Sequence, residues 1–282
     1  MQTFCRYAPS LGELEGTPLE AWSTPLYDPK KHKKEPTVFF GMFDFRDYIA
    51  LAQHRGKVWV LWAGSDIRNL LRGFTFNDGK LKYLSRFGGN WWVYNILSKA
   101  EHWVENHVCR DALRAVGIEA HIGQSFMGNV NDFQVSYKHS EAPRVYICSP
   151  EGRQEEYGFD VVERIAGQTP DFTYHLYGAE WNTKHENVFV RGRVPKEQMN
   201  SEIKDMQIAL RLNVFDGFSE LLAKGILMGH GVVSRIEYPF IPRAENDNEI
   251  ISLLESQRDY IKPARREHYL KNINNFPWAI RI

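Results

Sequence analysis

The second half of the chain repeats a pattern of short apolar run, glycine-containing loop and amphipathic segment, and this pattern restricts the fold most. Runs rich in β-branched and aromatic residues alternate there with segments of helical spacing. Such alternation is typical of βαβ units, in which crossover helices join neighbouring strands of a parallel sheet. The sequence therefore predicts one complete Rossmann-like half. Its predicted strands are residues 144–148, 172–178, 187–190 and 207–212, and its predicted helices are 159–165 and 197–203. A final amphipathic helix is predicted over 249–260.

The first half contains a shorter succession of the same kind. Gly64, Ser65 and Asp66 directly follow a predicted buried strand, at the carboxyl end where open α/β sheets bind ligands. Asp66 either caps the next helix or acts in such a ligand site, and both interpretations stay open. The predicted strands of this half are residues 37–41, 57–62, 101–104 and 118–122, and its predicted helices are 45–54 and 106–116.

Composition shifts suggest where domains begin and end. We predict a first domain over residues 1–142, in which 1–36 form an irregular extension, and a second over 143–262. The basic run 30–34 is either a solvated connector or a contact to a phosphate backbone. The aromatic residues of 73–100 either pack in the core and at a domain interface or stack on an acceptor.

The stretch 213–234 carries the most informative local chemistry. Asp216 and Gly217 form a turn signal, and Ser219 suits a helix N-cap. A helix follows, Gly229 suits a left-handed C-cap, and a buried strand begins near Gly231. A helix start preceded by a glycine turn offers free amides and the positive end of a dipole, so it favours an anion such as phosphate.

This stretch resembles the donor-binding signature of retaining GT-B glycosyltransferases of the family-4 type, which include the glycogen-synthase and glycosyl-transferase group 1 enzymes. The resemblance lies in Asp216-Gly217-Phe218-Ser219, the helix to Met228-Gly229 and the strand after it. This resemblance implies an α/β fold with two Rossmann-like domains, whose parallel sheets face a central cleft. It also implies that the segment 263–282 crosses back to the first domain; the alternative is that it packs on its own domain. The resemblance covers 144–240 well and the first half loosely, where Gly64-Ser65-Asp66 matches an element of some family members.

The resemblance also assigns roles to residues. The loop and helix start, from Gly217 through Phe218 and Ser219 to Glu220, would bind the donor diphosphate, and Asp216 would hold sugar hydroxyls or, alternatively, only form the turn. Lys224 stands where the family has a glutamate that binds ribose hydroxyls. An ammonium group has no acceptor, so Lys224 contacts a phosphate, or the donor differs, or the site is degenerate.

A nucleotide-sugar site must neutralise a diphosphate leaving group, and basic side chains do this in enzymes without a metal. Arg153, Arg193 and Lys224, in this order, are our candidates for donor-phosphate contacts; ordinary surface cations are the alternative. Gly64 and Ser65 complete the predicted binding residues. Asp66 is a candidate for orienting the acceptor or removing its proton. The resemblance implies retention of anomeric configuration, and the absence of Asp-x-Asp favours metal independence.

Other functional classes receive little support. The sequence contains no P-loop, no Gly-x-Gly-x-x-Gly after a strand, and no Cys-x-x-Cys or His-Glu-x-x-His motif. Lys plus Arg and Asp plus Glu both total 35, so the formal charge is zero and general capture of nucleic acid is not favoured. Three scattered cysteines and short apolar runs, well below the ~20 residues of a membrane helix, predict a cytoplasmic protein.

Three interpretations therefore remain at the level of sequence. The first is a metal-independent enzyme that moves a sugar from a UDP- or GDP-type donor, with no further cofactor, to a glycan or small molecule. The second is a catalytically degenerate protein that still binds a nucleotide or sugar. The third keeps the enzyme but makes the acceptor a modified DNA base, as in compact viral enzymes.

Overall fold

The structure, a computed structural model, describes residues 2–11, 14–72, 89–258 and 263–279. The chain divides into two compact units. The first comprises Met1–Asn129, Phe215–Phe218 and Asn272–Ile282, and the second comprises Val130–Val214 and Ser219–Lys271. The first unit thus ends its main segment upstream of residue 142, where the sequence placed the domain boundary. Phe74, Phe76, Tyr83 and Phe87 of the predicted aromatic stretch lie outside the described residues.

A five-stranded parallel sheet forms the centre of the first unit. The strands lie in chain order, and each pairs in parallel with the next. Parallel strands are covered on both faces, which is why they are almost continuously apolar. The strands are β1 (Phe4–Tyr7), β2 (Thr37–Phe40), β3 (Val58–Leu61), β4 (Glu101–Val104) and β5 (Ala120–Ile122).

Alternate side chains of these strands enter two separate cores. Phe39 and Val60 pack with the helices that follow β2, β3 and β4, whereas Val38, Phe40 and Leu61 pack on the opposite face. The described helices of this unit are α1 (Pro18–Trp22), α2 (Phe45–Gln53), α3 (Ser65–Leu71), α4 (Gly89–Leu97) and α5 (His107–Arg114).

The prediction that residues 1–36 are irregular is wrong. Phe4–Tyr7 is the edge strand β1, and Thr17 and Glu20 form a capping box that starts α1. Trp22 is fully buried and donates its indole N–H to Asn274 Oδ1 at 2.9 Å. Because the apolar residues of this segment are few and separated by prolines and charges, the pattern lacks the periodicity that would reveal the strand.

The terminal residues described in the first unit pack against the same face as Trp22. The rings of Phe276 and Trp278 stack with centroids 4.6 Å apart, and Trp22 meets both rings edge-on. Asn274 also accepts from Phe126 N and donates to Phe126 O. Residues 274–278 are therefore an integral part of the first core.

The second unit contains another five-stranded parallel sheet, with strand order β10-β9-β6-β7-β8. The chain first builds β7 and β8 on one side of β6, and then returns to place β9 and β10 on its other side. A reversal of this kind is a topological switch point, and here it lies between β6 and β9. The strands are β6 (Arg144–Cys148), β7 (Thr173–Tyr177), β8 (Val188–Gly192), β9 (Ile208–Arg211) and β10 (Gly231–Ser234).

The helices of the second unit follow the sequence prediction with three differences, one of which is the helix Pro263–Asn272, which was not predicted. A short helix, α6, precedes the predicted helix and is separated from it by Gly158, whose φ is +96°. The helix predicted over 249–260 begins earlier, after the Asn246 cap, and residues 259–260 lie outside the described part. The helices are α6 (Gln154–Tyr157), α7 (Phe159–Ala166), α8 (Lys196–Ile203), α9 (Glu220–Leu227), α10 (Asp247–Ser256) and α11 (Pro263–Asn272).

Two parallel sheets, each with its own helices and core, confirm the predicted α/β architecture of two Rossmann-like domains. In the described part of the chain, every helix is too short or too polar to cross a lipid bilayer.

Candidate functional site

The turn Asp216–Phe218 belongs to the first unit, and the residues that follow β4 hold it there. Asn106, the N-cap of α5, donates its side-chain amide to Asp216 O at 2.7 Å. Cys109 Sγ also donates to this carbonyl, at 3.2 Å. Phe218 N donates to Glu105 Oε2 at 2.6 Å. Both ends of the turn are thereby fixed by hydrogen bonds with a single segment, which donates to Asp216 O and accepts from Phe218 N.

Two glycines allow this turn to approach β3 closely. A Cβ on Gly64, where φ is +95°, would lie 2.4 Å from Gly217 N. A Cβ on Gly217 would lie 2.4 Å from Glu105 Oε2 and 2.9 Å from Ala63 O. Gly217 is not among the residues with positive φ, so close approach explains the glycine there. The fold thus brings the predicted residues Gly64 and Gly217 into contact, with Ser65 beginning α3 beside them.

Asp66 is fully buried beneath this contact. Its carboxylate accepts from Met42 N at 3.0 Å, Ala63 N at 3.1 Å and Ile67 N at 2.9 Å. Burial raises the pKa of the Asp66 carboxyl to about 6, while hydrogen bonds from these amides oppose the shift. The N-cap of α3 is Gly64 and not Asp66. The geometry gives Asp66 the role of fixing the loops after β2 and β3, and it argues against the direct acceptor contact predicted for this residue.

Glu105 is the residue of this region that the sequence prediction missed. It is 3% exposed, and its Oε1 accepts from Ser125 N at 3.0 Å and Ser125 Oγ at 2.6 Å. Burial raises the pKa of Glu105 to about 7; hydrogen bonds from Ser125 and Phe218 lower it, and the charge of Asp216 adds a smaller increase. The sequence did contain a signal for Glu105, because this residue directly follows the predicted strand 101–104 and ligand-binding residues concentrate at the carboxyl ends of parallel strands.

In the second unit, two arginines meet at the topological switch point. Arg211 ends β9, and its guanidinium carbon lies 4.2 Å from the centroid of the Tyr157 ring. Arg153, in the loop after β6, lies 4.9 Å from the same centroid and forms a bidentate ion pair with Glu156. The crevice at such a point is where open α/β sheets hold ligands, and two guanidiniums there favour an anion.

Lys224 adds a third cation to this carboxyl edge. It lies in α9, is 7% exposed, and donates from Nζ to Asn200 Oδ1 at 2.9 Å. Burial raises the pKa of the Cys148 thiol at the end of β6, and the charges of Arg211 and Lys224 both lower it. Both cations therefore act on the same point at the end of this strand. Arg211 was missed although it is a cation at the end of a predicted strand.

The remaining predicted residues occupy the same unit with different surroundings. Arg193 is exposed in the loop after β8, and it forms neither a hydrogen bond nor an ion pair with the residues that the structure describes. Ser219 occupies the N-cap position of α9, as predicted, but its hydroxyl makes no capping hydrogen bond. Glu220 begins the helix. Among the described residues, no group of three His, Cys, Asp or Glu side chains is arranged to hold a metal ion.

The sequence matches no family model and no curated protein. The structure, however, matches solved GT-B structures at low identity. It superposes on TarM of S. aureus with a TM-score of 0.56 and 13% identity, covering 85% of this chain and 52% of TarM. For sucrose-phosphate synthase from Thermosynechococcus elongatus the TM-score is 0.58 with 10% identity, covering 84% and 69%.

A third match is nearly complete in both directions. HepE of Anabaena, solved in complex with UDP and glucose, gives a TM-score of 0.52 and 11% identity, covering 97% of this chain and 95% of HepE. The chain spans only about half of the length of TarM. These superpositions confirm that the chain has the GT-B fold.

Proposed function

We propose that this protein is a glycosyltransferase that moves a sugar from a nucleotide-diphosphate donor to an acceptor. The observation that carries the proposal is the cluster of Arg153, Arg211 and Lys224 at the carboxyl edge of the second sheet. Three cations near the carboxyl ends of neighbouring parallel strands would neutralise the charge of a diphosphate. The complex of HepE with UDP and glucose supports a UDP-type donor, because that protein matches this chain over nearly its full length.

Charge neutralisation by protein cations is the central step of the proposed reaction. When the bond between sugar and diphosphate breaks, negative charge develops on the diphosphate oxygens. Preorganised guanidinium groups stabilise that charge, and Arg can do so through two parallel hydrogen bonds. The Tyr157 ring supports both arginines, so less side-chain freedom is lost when a ligand binds. We therefore propose leaving-group stabilisation without a metal ion.

The start of α9 would supply further donors to the diphosphate. The positive end of the helix dipole favours an anion at this helix start, and the Ser219 hydroxyl makes no capping hydrogen bond. Arg193 is exposed after β8 and stays a proposed nucleotide contact. Asp216 is half-exposed, with Oδ1 accepting from Gly217 N at 3.0 Å, and we propose that its carboxylate binds sugar hydroxyls. Retention of anomeric configuration belongs to the same proposal.

The test uses UDP-glucose, UDP and GDP-mannose as probes, with thermal unfolding and release of the nucleotide as readouts. We expect UDP to raise the melting temperature and UDP-glucose to be hydrolysed slowly in the absence of an acceptor. Arg211→Leu should weaken UDP binding about tenfold or more, since hydrogen bonds to charged groups contribute about 1.5–3 kcal/mol. Arg144→Leu, at the amino end of β6 in the same sheet, is the matched control and should bind UDP like wild type.

Two outcomes would refute the proposal. The first is the absence of stabilisation and turnover with every nucleotide sugar tried. The second is an Arg211→Leu variant that binds UDP as tightly as Arg144→Leu. Stabilisation by UDP without turnover of any nucleotide sugar would refute sugar transfer and favour a binding protein. The anomeric configuration of the product, read by NMR from the coupling constant of the anomeric proton, tests retention separately.

A further inference from the structure

Glu105 is a buried carboxylate that connects three parts of the first unit. It follows β4, accepts twice from Ser125 and once from Phe218 N, and lies against Gly217. The next residue, Asn106, holds Asp216 O. The carboxylate and the amide therefore fix the Asp216–Phe218 turn from its two ends.

The charge of Glu105 has no cationic partner among the described residues of the protein. Its three hydrogen-bond donors are neutral groups of Ser125 and Phe218, and no ion pair involves it. The thiol of Cys109 lies in the same region, and the charges that act on it are those of Asp66, Glu105 and Asp216. All three are carboxyl groups, so none of them supplies a positive charge. A buried anion without a cation is costly, and a neutral acceptor would satisfy the same donors at lower cost. Retaining the anion yields shorter and stronger hydrogen bonds.

Protonation of the Glu105 carboxyl would weaken its hydrogen bonds with Ser125 and Phe218. An ionised carboxylate only accepts, which matches the two N–H groups and one O–H group that face Glu105. A protonated carboxyl turns one oxygen into a donor. Ser125 Oγ can accept such a proton, but Ser125 N and Phe218 N cannot. The hold on the turn is therefore strongest when Glu105 is ionised.

We propose that Glu105 is a positioning residue, whose ionised carboxylate fixes the 216–218 turn and thereby orients the Asp216 carboxylate for sugar transfer. The catalytic part of this inference rests on the proposed function. We call the hydrogen bonds by which Glu105 holds Ser125 and Phe218 N the Glu105 clamp, and this clamp rests only on the geometry of the first unit. It gives Glu105 an effect on the reaction through Asp216, without contact to the substrate.

The first test compares Glu105→Gln with Glu101→Gln in the full chain. Glu101 begins the same strand and accepts from Trp103 Nε1 at 3.1 Å, a bond that glutamine can keep. With UDP-glucose as the probe, Glu105→Gln should lower kcat at least about tenfold and change KM less than about threefold, because an ill-positioned Asp216 affects the reacting sugar most. Glu101→Gln should retain the kcat of wild type.

The second test is the pH profile, with Ser125→Ala as a variant that keeps the carboxylate. Wild-type kcat should rise with pH through the pKa of Glu105, near neutrality, and this limb should be absent from Glu105→Gln. Ser125→Ala removes a hydrogen bond to the ionised form, so the limb should move to higher pH by about one unit. A merely structural role of Glu105 would leave the position of the limb unchanged.

The third test is independent of activity and measures hydrogen exchange of the Phe218 amide. Exchange, corrected for its intrinsic pH dependence, should be at least about tenfold faster in Glu105→Gln than in Glu101→Gln, while the amides of β3 stay protected. Unchanged exchange in Glu105→Gln overturns the clamp, and unchanged kcat and pH profile overturn the positioning role. A third outcome separates the two proposals. If wild type turns over no nucleotide sugar but exchange at Phe218 depends on Glu105 as expected, the proposed function and the catalytic part of this inference are refuted. The clamp then stands.

Discussion

The close approach of Gly217 to Glu105 can be tested by a double-mutant cycle on stability. In Gly217→Ala the new methyl carbon would lie 2.4 Å from Glu105 Oε2, so the turn or the carboxylate must move. Overpacking of this kind costs about 1–3 kcal/mol, and the backbone adds little because φ is not positive at this position. Glu105→Ala leaves Ser125 and Phe218 N–H groups without their acceptor, at about 1–3 kcal/mol for each buried group, and the loss of a buried charge partly offsets this.

The two changes should not add. In the absence of the Glu105 side chain, the nearest remaining atom to the methyl group introduced by Gly217→Ala is the Ala63 carbonyl oxygen, 2.9 Å away. The double variant should therefore be more stable than the sum of the single effects predicts, by about 1–2 kcal/mol, in the range seen for residues in contact. The sign is informative, because simple loss of two unrelated contacts would give no coupling.

Urea unfolding followed by tryptophan fluorescence is a suitable assay. All tryptophans except Trp181 belong to the first unit, so the signal reports chiefly on the unit that contains the cycle. Wild type is the reference for each variant. Additivity within about 0.3 kcal/mol, or a Gly217→Ala variant as stable as wild type, would refute the described packing of this turn.

Three further results are expected. The folded-state pKa of Asp66, about 6, lies above its ordinary value of 3.8, so wild-type stability should fall as pH rises from about 4 to about 6. Glu105, whose pKa is raised to about 7, contributes a decline of the same sign, so in Asp66→Asn the decline in urea curves across that range should become smaller by up to about 3 kcal/mol, and an unchanged decline would contradict the raised pKa of Asp66. Tyr157→Leu removes the ring shared by Arg153 and Arg211 and should weaken UDP binding about tenfold in calorimetry, with unchanged affinity as the contrary result. Asn274→Ala removes the acceptor of the buried Trp22 indole and should lower the unfolding free energy by about 2–3 kcal/mol, whereas a loss below about 0.5 kcal/mol would contradict the docking of the terminal residues.

Elements with strong local signals were predictable from sequence. The strands β6 to β10 and the helix α7 combine continuous apolar runs or clear helical spacing with glycine-containing boundaries, and they form where the pattern places them. β1 escaped because four residues at a sheet edge, Phe4–Tyr7, give too short a pattern to distinguish from a connector. Its identity as a strand depends on pairing with β2, which is a long-range property that no local window contains.

Glu105 shows a second limit, which concerns the role of a residue within a recognised element. The strand before it and the helix after it were both predicted, and the acidic residue stood at their junction. Its partner, Phe218, is far away in the chain, so nothing local distinguishes a clamp from an exposed acid. The glycine of the Asp216-Gly217 signature was likewise predicted as a turn former, whereas the structure explains it by contact with Glu105 and Ala63.

Strand order explains why the ranking of the cations was only partly predictable. Arg153, Arg193 and Arg211 all lie at or just after the carboxyl ends of strands, and by sequence they are equivalent. The sheet makes β6 and β9 neighbours and puts β8 at the far edge, so the arginines of the first two strands share the Tyr157 ring while Arg193 does not. Because a ligand at an open parallel sheet binds where the strand order reverses, the proposed anion site should depend more on Arg211, absent from the sequence-based candidates, than on Arg193.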